Sequence, residues 1–184
     1  GLGIPAEPLF RSETILTIEL VEQRAVALLI AQECLPYLRK GIRNREDLQR
    51  AVDIVREKLP HFQVALTDRT QVLAASGCDL SVTPLPIAAR EAMAQRETVV
   101  MEVSKGHRSA MLSAPLVTDE QVIGALLLIA PTGPNLVLDA DVKTLESLAQ
   151  FFSVMLELGE TEHQIALRKQ AEFRALQSQI NPHF

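Results

Sequence analysis

The sequence predicts an α+β fold: a mostly antiparallel sheet with helices gathered on it, flanked by long helices at both ends that are suited to coiled-coil pairing. Two observations carry this. Between Phe62 and Ile129, short apolar runs separated by turn residues give two strands, one helix and three more strands. On either side, apolar residues recur at spacings of three and four, the period of a helix with one apolar stripe. The resulting order is helix, helix, strand, strand, helix, strand, strand, strand, helix.

The first helix is read over 14–35, where Ile18, Val21, Ala25, Leu28, Gln32 and Leu35 form the seam of a helix lying along a partner. Pro36 lacks an amide proton and crowds the carbonyl four residues earlier, so Pro36 to Gly41 is expected to bend and stop the chain. Asn44 is the predicted N-cap of a second helix, and Glu46 and Asp47 suit its positive end. Leu48, Ala51, Val52 and Val55 are its apolar stripe. Phe62 to Thr67 and Gln71 to Ala75 make a hairpin around Asp68-Arg69. A helix opens at Pro84 or Pro86 and runs to about Arg96. Strands follow at Thr98 to Val103, Arg108 to Val117 and Gln121 to Ile129, with Thr118-Asp119-Glu120 as the last turn.

After Pro134 one long helix is expected from about Leu138. Leu145, Leu148, Phe152 and Met155 form its first stripe, and Phe173, Leu176, Ile180 and His183 a second. Between them Gly159, Glu162 and Lys169 interrupt the apolar pattern. Pairing with the first helix in a parallel homodimer would place Leu145, Phe152, Phe173 and Ile180 in the interface. Gly159 to Lys169 is then the stretch where rotation or a register shift should cost least.

Composition narrows the function. The 184 residues carry a net charge of −5 with signs mixed along the helices, which argues against a basic face for nucleic acid. Cys34 and Cys78 lie far apart, with no CxxC and no histidine at metal-ligand spacing, so both read as reduced thiols and no metal site is expected. The longest apolar stretch, Val122 to Pro131, is about half of the roughly 20 residues that cross a bilayer. The first residue is not Met and the last lies inside a continuing helical pattern, so the chain is expected to be a piece of a longer protein. His61, His107 and His163 read as exposed and structural.

One motif carries chemistry. Leu176 begins a segment that continues Gln177, Ser178 and then, unbroken, Gln179-Ile180-Asn181-Pro182-His183-Phe184. It resembles the start of the phosphoacceptor region of the LytS-type sensor histidine kinases. Upstream, Cys34 to Gly41 resembles the leader that joins the membrane part of these proteins to a GAF domain, and the element order is that of a GAF domain. The resemblance implies a linker and entry helix over 1–41, a GAF-like sensor over 42–137, and a signalling helix with a truncated phosphoacceptor region over 138–184. It implies His183 as the phosphoacceptor. An imidazole is partly neutral near pH 7 and can attack a γ-phosphoryl group, while Pro182 opens the local helix and Asn181 steadies it.

The same resemblance implies a homodimer, a response regulator that receives the phosphoryl group, a membrane region before residue 1, and ATP and Mg²⁺ bound by a separate domain of the parent kinase. This chain has no Gly-rich phosphate loop, so no cofactor is expected in it and it should not autophosphorylate alone. A small-molecule ligand is expected between the sheet and its covering helices. Arg90, Arg108, Ser109 and Ser113 are the candidate lining residues, and Arg108 could hold a carboxylate. The relatives' longer cysteine-containing insert near Ser104 to Arg108 is replaced here by a short turn without cysteine. The alternative is a GAF-like dimerisation and coupling module with no ligand.

Overall fold

The structure is a computed structural model that describes residues 6–105, 107–131 and 137–180, with side chains over 21–102, 109–131 and 137–179. Helix α1 spans Ala6–Leu38 and α2 Arg45–Lys58, joined by a 3₁₀ turn at Gly41–Arg43. Strands β1 (Gln63–Thr67) and β2 (Val72–Ser76) form the first hairpin. Helix α3 (Ile87–Gln95) leads into β3 (Val99–Lys105), β4 (His107–Thr118) and β5 (Gln121–Ala130), and α4 spans Asp139–Ile180. The five strands form one antiparallel sheet in the order β2-β1-β5-β4-β3, so β5 returns between the two hairpins that precede it.

Alternation along the strands divides the core. Val64, Leu66, Leu112, Ala114, Leu126 and Leu128 face α1, α2 and α4, while Ala65, Ala125 and Leu127 face α3 through Ala89. Helix α2 follows its sequence pattern: the Asn44 side chain accepts from the Asp47 amide at 3.1 Å, and Leu48, Ala51, Val52 and Val55 are its buried stripe. Helix α3 ends at Arg96, whose φ of 56° places it in the left-handed conformation without a glycine.

Two expectations for the end helices are corrected. Pro36 does not interrupt α1, which continues to Leu38 because the Arg39 amide still reaches the Leu35 carbonyl at 3.2 Å. The chain turns at Gly41, where φ is +69°. The part of α1 inside the protein is Ala27, Ile30, Ala31, Cys34 and Leu38, whereas Val21, Ala25, Leu28 and Gln32 of the predicted seam are exposed. On α4, Leu145 and Phe152 are completely buried in their own domain's core and are therefore not dimer-interface residues. Phe173 is exposed, and the Ile180 side chain lies outside those described.

Candidate functional site

Helix α4 has two physically different halves. From Thr144 to Gly159 one face is buried, with Leu145, Leu148, Ala149, Phe152 and Leu156 against the sheet and α1. Ser153 ties the helix to β4 by accepting from the Val117 amide at 3.1 Å. From Thr161 to Gln179 nearly every residue is exposed. The last domain contact is a close backbone crossing: a Cβ on Gly159 would sit 2.5 Å from the Arg39 carbonyl oxygen and 2.7 Å from the Gly41 nitrogen. Arg43 pairs with Glu160 beside it at 3.1 Å. Gly159 is thus the most tightly packed point of the stretch expected to move most easily, and the unconstrained helix begins two residues later.

Beyond the crossing, α4 extends about 32 Å to Ile180, at 1.5 Å per residue. Leu176, Gln177, Ser178 and Gln179, which begin the Leu176–Phe184 motif, are presented to solvent on this helix, and Ser178 donates back to the Arg174 carbonyl at 3.1 Å. Asn181, Pro182, His183 and Phe184 lie outside the described residues. The outward stripe also changes phase. Leu158 and Ile165 are a heptad apart, but Ile165 and Phe173 are separated by eight residues, which turns the stripe by about 100° relative to a heptad repeat.

The expected ligand residues are not brought together. Ser113 is completely buried on the α3-facing side of β4, and its Oγ has no hydrogen-bond partner among the described residues. The Thr67 Oγ1, on β1, is buried in the same way. Arg90 is exposed on α3, whereas both hydroxyls are buried. Ser109 is half-buried, and Arg108 is placed by its backbone, opposite Ser104 in the β3–β4 register, with its side chain outside those described. The α3 face between these positions is filled by Ala65, Ala89, Ala125 and Leu127, packed against Met93 and Met111.

The cysteines lack thiolate character. Burial, reinforced by the Glu33 carboxylate, pushes the Cys34 thiol up to about 12, and its Sγ donates to the Ala51 carbonyl at 3.5 Å. Cys78 is also raised, by burial first, with Arg56 opposing. Both work against nucleophilic or redox chemistry at neutral pH.

Sequence reasoning missed the contacts around the β4–β5 turn. Asp119 and Glu120 both have positive φ, 41° and 70°, a hairpin geometry usually left to Gly or Asn. The Arg96 guanidinium holds the turn from one side by donating to the Glu120 carbonyl. On the other side the Asp119 carboxyl lies beside that of Glu157 on α4, and a hydrogen bond between them when Glu157 is protonated, followed by desolvation and the like charge of Asp119, pushes the Glu157 carboxyl up from its ordinary value. The only signal in the sequence was the lack of glycine in a two-residue turn.

An antiparallel five-stranded sheet with helices packed on both faces is an α+β sandwich. The chain belongs to the GAF domain family, which it matches over residues 7–156. It is 32% identical to Sensor protein LytS of Staphylococcus epidermidis over 96% of this chain and 32% of that protein. It is 29% identical to Sensor histidine kinase/phosphatase LytS of Staphylococcus aureus over 96% of this chain and 33% of that protein. The chain therefore spans about a third of the length of these curated relatives. Among solved structures, a GAF sensor protein from Burkholderia vietnamiensis superposes with a TM-score of 0.60 at 14% identity, covering 77% of this chain and 94% of that one, which establishes likeness of fold. Among the described residues no helix is long and apolar enough to cross a membrane.

Proposed function

We propose that this chain is the sensor and dimerisation portion of a two-component histidine kinase and that His183 is its phosphoacceptor. The observation that supports this best is the continuity of α4, one helix from the sensor core at Leu145–Leu156 to the solvent-exposed start of the Gln-Ile-Asn-Pro-His-Phe motif. In this reading an imidazole nitrogen of His183 attacks the γ-phosphorus of ATP. The new P–N bond forms as the bond to the β,γ-bridging oxygen breaks, ADP leaves, and the imidazole loses its proton. ATP and Mg²⁺ are held by another domain of the parent, a response regulator takes the phosphoryl group, and the parent is anchored in the membrane through a region before residue 1. The filled α3 face favours a narrower version in which the interior of the GAF fold holds no ligand and the domain couples α1 to α4.

The test is autophosphorylation with γ-labelled ATP in the protein extended through its ATP-binding domain. Acid-labile label on the wild type and its loss in His183→Gln are expected; equal labelling of the two would refute the assignment.

A further inference from the structure

We propose that the cleft at the C-terminal end of α3 binds a compact soluble polyanion, a small molecule carrying two or more oxyanion groups. The cleft has a volume of about 610 Å³, within the range of small-molecule sites. Three arginines line it, Arg69 in the β1–β2 turn, Arg90 on α3 and Arg96 at the α3 C-cap, with Met93 and Val122 supplying apolar wall and Glu120 the one acidic lining residue. Gathering three like charges at one concavity, on a chain of net charge −5, is unfavourable unless something of opposite charge shares it.

Among the lining residues the Glu120 carboxylate is the protein's one counter-charge to the three arginines. Asp68, beside Arg69, is committed to its own turn: Oδ1 accepts from the Thr70 amide at 2.7 Å, the Thr70 hydroxyl at 3.1 Å and the Gln71 amide at 2.8 Å. Partial burial pushes its carboxyl up, but these hydrogen bonds outweigh that and hold it below the ordinary value, so Asp68 stays anionic, yet it is not among the residues that line the cleft. Glu91 adjoins Arg90 in sequence, yet neighbours one residue apart do not face each other on a helix. Among the described residues Arg96 is engaged by the Glu120 carbonyl alone, and the described ion pairs involve neither Arg69 nor Arg90. Planar guanidiniums suit carboxylate or phosphate oxygens, which they can grip by paired hydrogen bonds.

The site has a mechanical address. Its floor is the β4–β5 turn, whose Glu120 carbonyl holds Arg96, and the strand leading into that turn is tied to α4 by the Val117 amide donating to the Ser153 hydroxyl at 3.1 Å. An anion drawing on Arg96 therefore acts on the turn that follows the strand anchored to α4. The proposal rests on the domain alone and is independent of the role of His183.

The test is isothermal titration of the 184-residue chain with citrate and with pyrophosphate at constant ionic strength. Saturable binding of at least one probe is expected, weakened tenfold or more in both Arg69→Gln and Arg90→Gln. Both side chains are exposed, so the melting temperature without probe should be unchanged, and if one variant folds poorly the other decides. No saturable binding of either probe to the wild type, or binding that a folded variant retains in full, would overturn the site.

Discussion

At the scale of single residues, Cys34 gives the chain a measurable alkaline sensitivity. Its thiol ionises near 9.0 when free and near 12 in the folded protein, so the folded state favours the neutral form. A group raised in this way contributes its full stabilisation below the unfolded value and loses it as pH climbs from about 9 toward 12, at up to about 1.4 kcal/mol per pH unit. Urea denaturation at pH 8 and pH 10.5 should show a fall in stability that is roughly 2 kcal/mol larger in the wild type than in Cys34→Ala. Equal falls would mean that the thiol is not sheltered. The burial of Cys34 was not legible from its sequence neighbourhood: the predicted seam of α1 ran through the larger residues Val21, Leu28 and Leu35. The packed face is Ala27, Ile30, Ala31, Cys34 and Leu38, where small side chains allow close approach to α2 and α4.

At the scale of elements, the crossing of α4 over the end of α1 sets where the domain stops and the free helix starts. Alanine is the better helix former by about 1 kcal/mol, so propensity alone would have Gly159→Ala stabilise α4. The new methyl, however, would meet backbone atoms of Arg39 and Gly41, which cannot rotate aside as a side chain would. Overpacking of this kind costs about 1–3 kcal/mol. The variant should therefore melt lower than the wild type, with lost contact between the 3₁₀ turn and α4; an unchanged or higher melting temperature would show that the crossing is loose. The interrupted stripe at Gly159 suggested freedom because periodicity registers only what a helix shows to one partner. It is silent about a glycine chosen to let another backbone approach.

At the scale of the whole molecule, the outward faces of α1 and α4 bear on assembly. Val21, Leu28, Val154, Leu158 and Ile165 are exposed apolar residues on the two helices that leave the core, and no other described residue covers them. A second copy is the occupant expected of such a face, as in paired coiled-coil helices. Sedimentation equilibrium should find a dimer whose dissociation constant rises tenfold or more in Leu158→Glu, with the melting temperature of the monomeric unit little changed. A wild-type chain that stays monomeric at high micromolar concentration would remove the homodimer from the picture. Helix periods, strand alternation, the Asn44 cap and the Asp68-Arg69 turn were legible in the sequence because each depends on residues a few positions apart. So was the histidine motif, a contiguous string. Tertiary structure alone decided which stripe of α1 and α4 faces inward, that Ser113 lies under a filled face rather than beside Arg90, and that Arg69, Arg90 and Arg96 share one cleft. Those outcomes depend on the strand order β2-β1-β5-β4-β3, which brings distant turns to one end of the sheet, and no local pattern encodes that order.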